Sequence, residues 1–265
     1  MKWLSIALLG LIACSPSVEK PAVSATAPAT APESGTTSAP PAVIAEERNI
    51  TITGVEVANP LVISGTARTF ENNVVLRARA ADGTLIAEGF TTATGEMGQH
   101  SPYRGSLWLT RLPGPRVLVD ALEYSAKDGA EINLASTEQP FDVAPVEAVL
   151  YFPDASCTAV KPYTRPVPKT LSHARLLVEA LVAGPTPDER KHGAAVAFPE
   201  GSGVRTVILR GGVVTVDFNE RLQSVGGSCR TQMIREAVTQ TLQRLPAVKK
   251  VVITAGGSEE LALQP

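Results

Sequence analysis

From Asn49 to Val143 the hydrophobic positions come in short β-rich runs, broken by turn residues every eight to twelve positions. The runs are Ile50–Thr53, Leu61–Ala67, Asn73–Ala80, Leu85–Phe90, Gly105–Thr110, Arg116–Tyr124 and Phe141–Val143. Val75, Arg77 and Arg79 alternate with Leu76, Ala78 and Ala80, which gives one wet face and one dry face. Asp82-Gly83 between two such runs is a hairpin signal.

After Ala144-Pro145 the period changes. Val146–Phe152 reads as a strand ended by Pro153-Asp154, and a proline-rich loop carrying Cys157 runs to Pro168. Thr170 is placed to cap a helix whose Ala174, Leu177, Val178, Leu181 and Val182 form one apolar stripe, stopped by Gly184-Pro185. Val204–Leu209 and Val213–Phe218 read as strands joined by a tight turn at Arg210-Gly211-Gly212. A long helix follows Gly226–Arg230, with Ser228 preceding it as a capping hydroxyl. Met233, Ile234, Ala237, Val238, Thr241, Leu242 and Leu245 lie on one face, and Pro246 stops it. Val248–Thr254 closes as a strand.

The fold class expected is β + α/β: an antiparallel immunoglobulin-like β-sandwich over 46–144, without the paired cysteines of antibody domains, then a two-layer α+β domain over 145–265 with helices on one face of a mixed sheet. At 265 residues and 44% hydrophobic content the chain has enough apolar material for two cores.

The beginning of the chain changes the picture. A basic start and about ten apolar residues are too short to span a bilayer, which needs roughly 20 residues, so 1–13 reads as a signal peptide. Leu11-Ile12-Ala13-Cys14 resembles the bacterial lipobox, which implies cleavage before Cys14 and lipid attachment there; ordinary secretion with a free Cys14 is the alternative. Several acyl chains on one residue anchor firmly. Residues 14–45, mostly Ala, Pro, Ser and Thr, read as a disordered tether. The expected location is therefore the bacterial cell envelope, as a membrane-anchored lipoprotein facing the periplasm or the outside.

Charge and cysteine content narrow the chemistry. A net charge of −2 and 5% aromatic residues argue against nucleic acid. Residues 46–145 carry eight basic against thirteen acidic side chains, net −5, whereas 146–265 carry fourteen against eleven, net +3. Opposite signs favour docking of the halves or head-to-tail stacking of copies, against two independently solvated surfaces. In an exported chain the pair Cys157 and Cys229 is most simply a disulfide. Cys229 at a helix start is also conceivable as a nucleophile, with His173 or His192 as its partner. His100, His173 and His192 lack metal-ligand spacing. Asp217 at a strand end reads as a backbone-bonding carboxylate, and Trp108 with Tyr103 as core residues rather than a sugar platform. No catalytic set, metal or cofactor is expected.

Two family resemblances rest on particular words. Asn59–Val74, Ala87–Ala93 and Ser125–Gly129 make residues 49–143 similar to the Gmad immunoglobulin-like domain of spore-germination proteins, a binding or assembly module with no catalytic residues to carry over. Leu150–Phe152, Glu179–Thr186, Gly211–Phe218, Gly227–Arg230 and Val248–Val251 make 146–265 resemble the GerMN domain of sporulation and germination proteins. That resemblance implies a fold like the ring-building motif of secretion and sporulation assemblies. Some spore-former members carry two GerMN copies, whereas this chain carries one. Together these imply a non-enzymatic envelope lipoprotein with an envelope protein partner or self-association. The alternative is a cell-wall polysaccharide-binding module, marked by an exposed aromatic groove, and an enzyme would need a cleft of convergent polar groups.

Overall fold

The alternation along the first half builds two antiparallel sheets. β1 (Ile50–Glu56), β2 (Leu61–Ala67) and β5 (Ser101–Leu107) form one in the order β1-β2-β5. β3 (Asn73–Ala80), β4 (Leu85–Thr92), β6 (Arg116–Tyr124) and β7 (Glu131–Pro140) form the other in the order β4-β3-β6-β7. Leu61, Ile63 and Tyr103 from one sheet share a buried cluster with Val74, Leu76, Val117 and Val119 from the other. This is the immunoglobulin-like sandwich. Gly65 is required in it: a Cβ there would lie 1.9 Å from the Thr51 carbonyl oxygen and 2.6 Å from the Tyr103 hydroxyl. The empty space lets the Tyr103 hydroxyl donate to Thr51 O at 2.9 Å. On the wet face Arg79 forks onto Asp120 at 2.6 and 2.9 Å, and Ser136 Oγ donates to the same carboxylate at 2.6 Å.

Two of the expected strands differ. The run at Gly105–Thr110 lies earlier, as β5, because the Leu109 backbone turns away from the ladder to bond Asn59. Phe141–Val143 is not a strand; its place is taken by β7, whose polar residues Glu131, Ser136 and Glu138 disguise it. Those residues are partners of Arg77, Asp120 and Arg116.

The computed structural model describes residues 48–259 together with Ala262 and Leu263. The expected signal peptide and tether, with Cys14, lie outside the described residues. In the second half β8 (Pro145–Pro153) pairs antiparallel with β9 (Val160–Pro168) in a two-stranded sheet of their own. After α1 (His173–Ala183) and the short α2 (Pro187–Lys191), β10 (Val204–Arg210) and β11 (Val213–Phe218) pair antiparallel. Beyond α3 (Ser228–Gln243), β12 (Lys250–Ala255) runs parallel to β11. Leu150 and Phe152 of β8, Leu177 and Leu181 of α1, Val216 and Phe218 of β11, and Ile234 and Val238 of α3 close one core.

The proline-rich segment expected as a loop is thus a strand, and its prolines explain how. Thr241 Oγ1 on α3 accepts from the Tyr151 N–H at 2.9 Å, so that N–H points away from β9. Tyr151 sits opposite Pro162, and Pro162, Pro166 and Pro168 share one parity. Their missing N–H groups therefore all fall on the outer edge, where no ladder bond is lost. The first strand consequently belongs to this hairpin and not to the mixed β10-β11-β12 sheet. Helix starts shift as well. Ser172, not Thr170, precedes α1, with Thr170 Oγ1 accepting from the Ser172 N–H. Ser228 is the first residue of α3, after Gly227 at φ 89°.

Residues 46–265 form one unit, and a buried amide joins its halves. Asn59 is 6% exposed. Its Nδ2 donates to the carbonyls of Leu109 and Pro168, each at 3.1 Å, and its Oδ1 accepts from the Leu109 N–H at 3.0 Å. Trp108 packs against the second core, and the Arg175 guanidinium stands 5.4 Å from its ring centre. Asn59→Ala leaves three buried backbone groups without partners. It is expected to cost about 2–4 kcal/mol in denaturant unfolding; a loss below about 0.5 kcal/mol would contradict this role.

Candidate functional site: an interdomain cleft and the Cys157–Cys229 bridge

Where the halves meet, a cleft of about 980 Å³ opens between β4 and the end of α1. Its walls include Phe90, Trp108 and Arg111 on one side and Arg175, Glu179 and Arg190 on the other. Each charged group is held by the structure. Arg175 binds Glu179 at 3.0 Å and donates to the carbonyls of Val204 and Arg205 at 2.9 and 3.0 Å. Burial raises the Glu179 carboxyl above its ordinary value, against the opposing pull of Arg175. Arg111 donates to Leu85 O, and Arg190 donates to Pro185 O at 2.7 Å.

Beneath this wall Arg165 is buried. It donates to Ala180 O at 3.2 Å, near the end of α1, and pairs with Glu189 at 3.0 Å. Glu189 also completes a capping box with Thr186, which is how five residues sustain α2. Burial lowers the Arg165 guanidinium from its ordinary value, with Glu189 opposing the shift. Glu189→Ala strands that cation and is expected to cost about 3–5 kcal/mol of stability, measured by urea unfolding; near-neutrality would contradict the pairing.

Cys157 and Cys229 form a disulfide with Cα atoms 6.2 Å apart. Asp154 shapes the turn that presents Cys157: its carboxylate accepts from the Thr158 N–H at 3.0 Å and from the Ser156 and Thr158 hydroxyls at 2.9 Å. These bonds, the Thr158 backbone first, pull its carboxyl down to about 2. A depressed carboxylate contributes stability above its unfolded value near 3.8 and loses it as pH falls toward 2. The stability gap between the parent chain and Asp154→Asn should therefore be constant from pH 5 to 7, shrink below pH 4 and close near pH 2. A gap unchanged at pH 2 would contradict this.

The other singled-out residues do not converge. Tyr103 is buried, and burial pushes its phenol up. His173 begins α1, and burial lowers its imidazole. His192 Nδ1 lies 2.9 Å from Asp188 O. His100 immediately precedes β5. Asp217 accepts from Thr254 Oγ1 at 2.7 Å and from the Gly257 N–H at 2.8 Å, which fixes the end of the β11–β12 pair. Among the described residues no three His, Cys, Asp or Glu are grouped to hold a metal, and no helix is long and apolar enough to cross a membrane. Asn59, Phe90, Arg165 and Arg175 were not singled out as site residues. The capping-box spacing of Thr186 and Glu189 and the same-parity prolines are the signals that point toward the Arg165 network.

With this geometry in hand, residues 149–261 match the family model for sporulation and spore germination, and residues 52–130 match that of the immunoglobulin-like domain of bacterial spore germination. The two matched stretches follow one another along the chain. A search of curated proteins finds no match. Among solved structures it is similar to the tandem GerMN domains of the sporulation protein GerM from Bacillus subtilis, at 26% identity and TM-score 0.38, over 43% of this chain and 40% of that one. It is similar to the first GerMN domain of the same protein at 26% identity and TM-score 0.37, over 43% of this chain and 84% of that one. The chain thus spans less than half the length of the tandem GerM structure.

Proposed function

We propose that the GerMN-type chain is a non-enzymatic lipoprotein of the cell envelope, anchored through Cys14 and working as a protein-interaction and assembly module. The observation that supports this reading is the state of the polar side chains around the cleft. Glu179 is tied to Arg175, Arg165 to Glu189, and Arg111 and Arg190 to backbone carbonyls. Among the described residues the cleft walls include no histidine or cysteine, and the Cys229 sulfur is in the bridge. A nucleophile, its base and an oxyanion site would need free groups converging on one point, and these groups are already committed to holding the fold.

A polysaccharide-binding reading draws on one observation: Phe90 is 80% exposed in the cleft. The other rings lining the cleft, Trp108 and Tyr124, are occupied. The Trp108 face carries the Arg175 guanidinium, Tyr124 carries Arg77, and Tyr103 is buried. One free ring is a poor sugar platform, which favours the protein-interaction reading.

Two measurements test it. Cys14→Ala should move the chain from the membrane fraction to the aqueous fraction, and unchanged partition would contradict anchoring. Retention on purified peptidoglycan sacculi should be negligible for both the parent chain and Phe90→Ala; strong retention that falls at least tenfold in F90A would replace the proposal with the polysaccharide reading.

A further inference from the structure

β10 is an outer strand of the β10-β11-β12 sheet, and its hairpin geometry fixes where its backbone points. Gly211 and Gly212 form a two-residue turn with φ 57° and 84°, and Arg210 and Val213 flank it. In such a hairpin the flanking pair is hydrogen-bonded. Arg210, Ile208 and Thr206 therefore turn their N–H and C=O groups toward β11, while Leu209, Val207 and Arg205 turn theirs outward. The Arg175 guanidinium agrees with this phase, taking Arg205 O at 3.0 Å, and at the adjoining bulge it takes Val204 O at 2.9 Å. The start of the edge is thus closed by an arginine and its end by the turn. Between them Val207 and Leu209 offer two N–H and two C=O groups with no partner among the described residues.

We propose that β10 pairs antiparallel with β10 of a second copy of this chain, about a two-fold axis at Ile208. Two donors and two acceptors spaced two residues apart are self-complementary: Val207 of one copy exchanges both bonds with Leu209 of the other, and the reverse. Ile208, 44% exposed, then faces its own copy in a non-hydrogen-bonded pair, the closest cross-strand approach. Leu209, 42% exposed, covers Val207 of the other copy. Arg210 meets Thr206 rather than another arginine, and Asp217 lies one strand beyond that threonine. Lone edges are normally blunted by charge or proline. The β9 edge is blunted by Pro162, Pro166 and Pro168, whereas 206–209 carries neither device. The contact is far smaller than a standard interface, so pairing is reversible and depends on concentration.

This proposal deepens the assembly reading by naming one partner, and trapping tests it in the full chain within cells. Ile208→Cys should yield an oxidised homodimer at least tenfold more efficiently than Arg210→Cys or Thr206→Cys alone. Co-expressed T206C and R210C chains should cross-link to each other. Leu209→Pro removes an outward N–H and an exposed side chain, so adding it to I208C should lower dimer yield at least tenfold while the thermal midpoint stays near that of I208C. Equal yields at all three positions, no I208C dimer, or a cross-link to a different polypeptide would overturn self-pairing. A missing I208C dimer with membrane anchoring intact would remove this proposal and leave the assembly reading standing.

Discussion

The fold depends on one buried amide. Asn59 sits between the end of the sandwich and the end of β9, and its three hydrogen bonds satisfy backbone groups from both halves. Without it, Leu109 would bury an unpaired N–H and carbonyl and Pro168 an unpaired carbonyl, where each unpaired group costs about 1–3 kcal/mol before relaxation. The amide also ends the β5 ladder at Leu107, which frees Trp108 to reach the second core and lie under Arg175. From that contact Arg175 extends to the carbonyls that close the start of β10. The interface and the open edge are therefore consequences of one local arrangement.

Polar residues elsewhere follow the same rule. Asp120 neutralises Arg79 on the outer sheet, Thr241 caps a strand N–H from within a helix, Arg165 holds the end of α1, and Asp217 fixes the end of the mixed sheet. Each replaces water at a buried or half-buried group, where an unpaired donor or acceptor is expensive. The disulfide ties the loop after β8 to the start of α3 and closes 72 residues. The charge asymmetry between the halves, −5 against +3, is not where the joint sits: the contacts there are an amide, an indole and a guanidinium.

Much of this was legible where one period dominates. β3 and β6 lie where alternation placed them, and the Arg210–Gly212 turn is a two-residue hairpin as its glycines indicate. Pattern and structure part where polarity marks a partner rather than solvent. β7 goes unmarked in the hydrophobic pattern because its polar residues serve Arg77, Asp120 and Arg116. β9 looked like a loop because its prolines occupy the outward parity, which periodicity of hydrophobic residues does not record. Asn59 and Arg165 could not be singled out, since their value comes from carbonyls 109 and 15 residues away.

If the Asn59–Trp108 joint makes the halves one body, they should unfold together. Scanning calorimetry of the full chain tests this most directly: the account predicts a single endotherm whose calorimetric and van't Hoff enthalpies agree. Two resolved endotherms, one for each half, would contradict it.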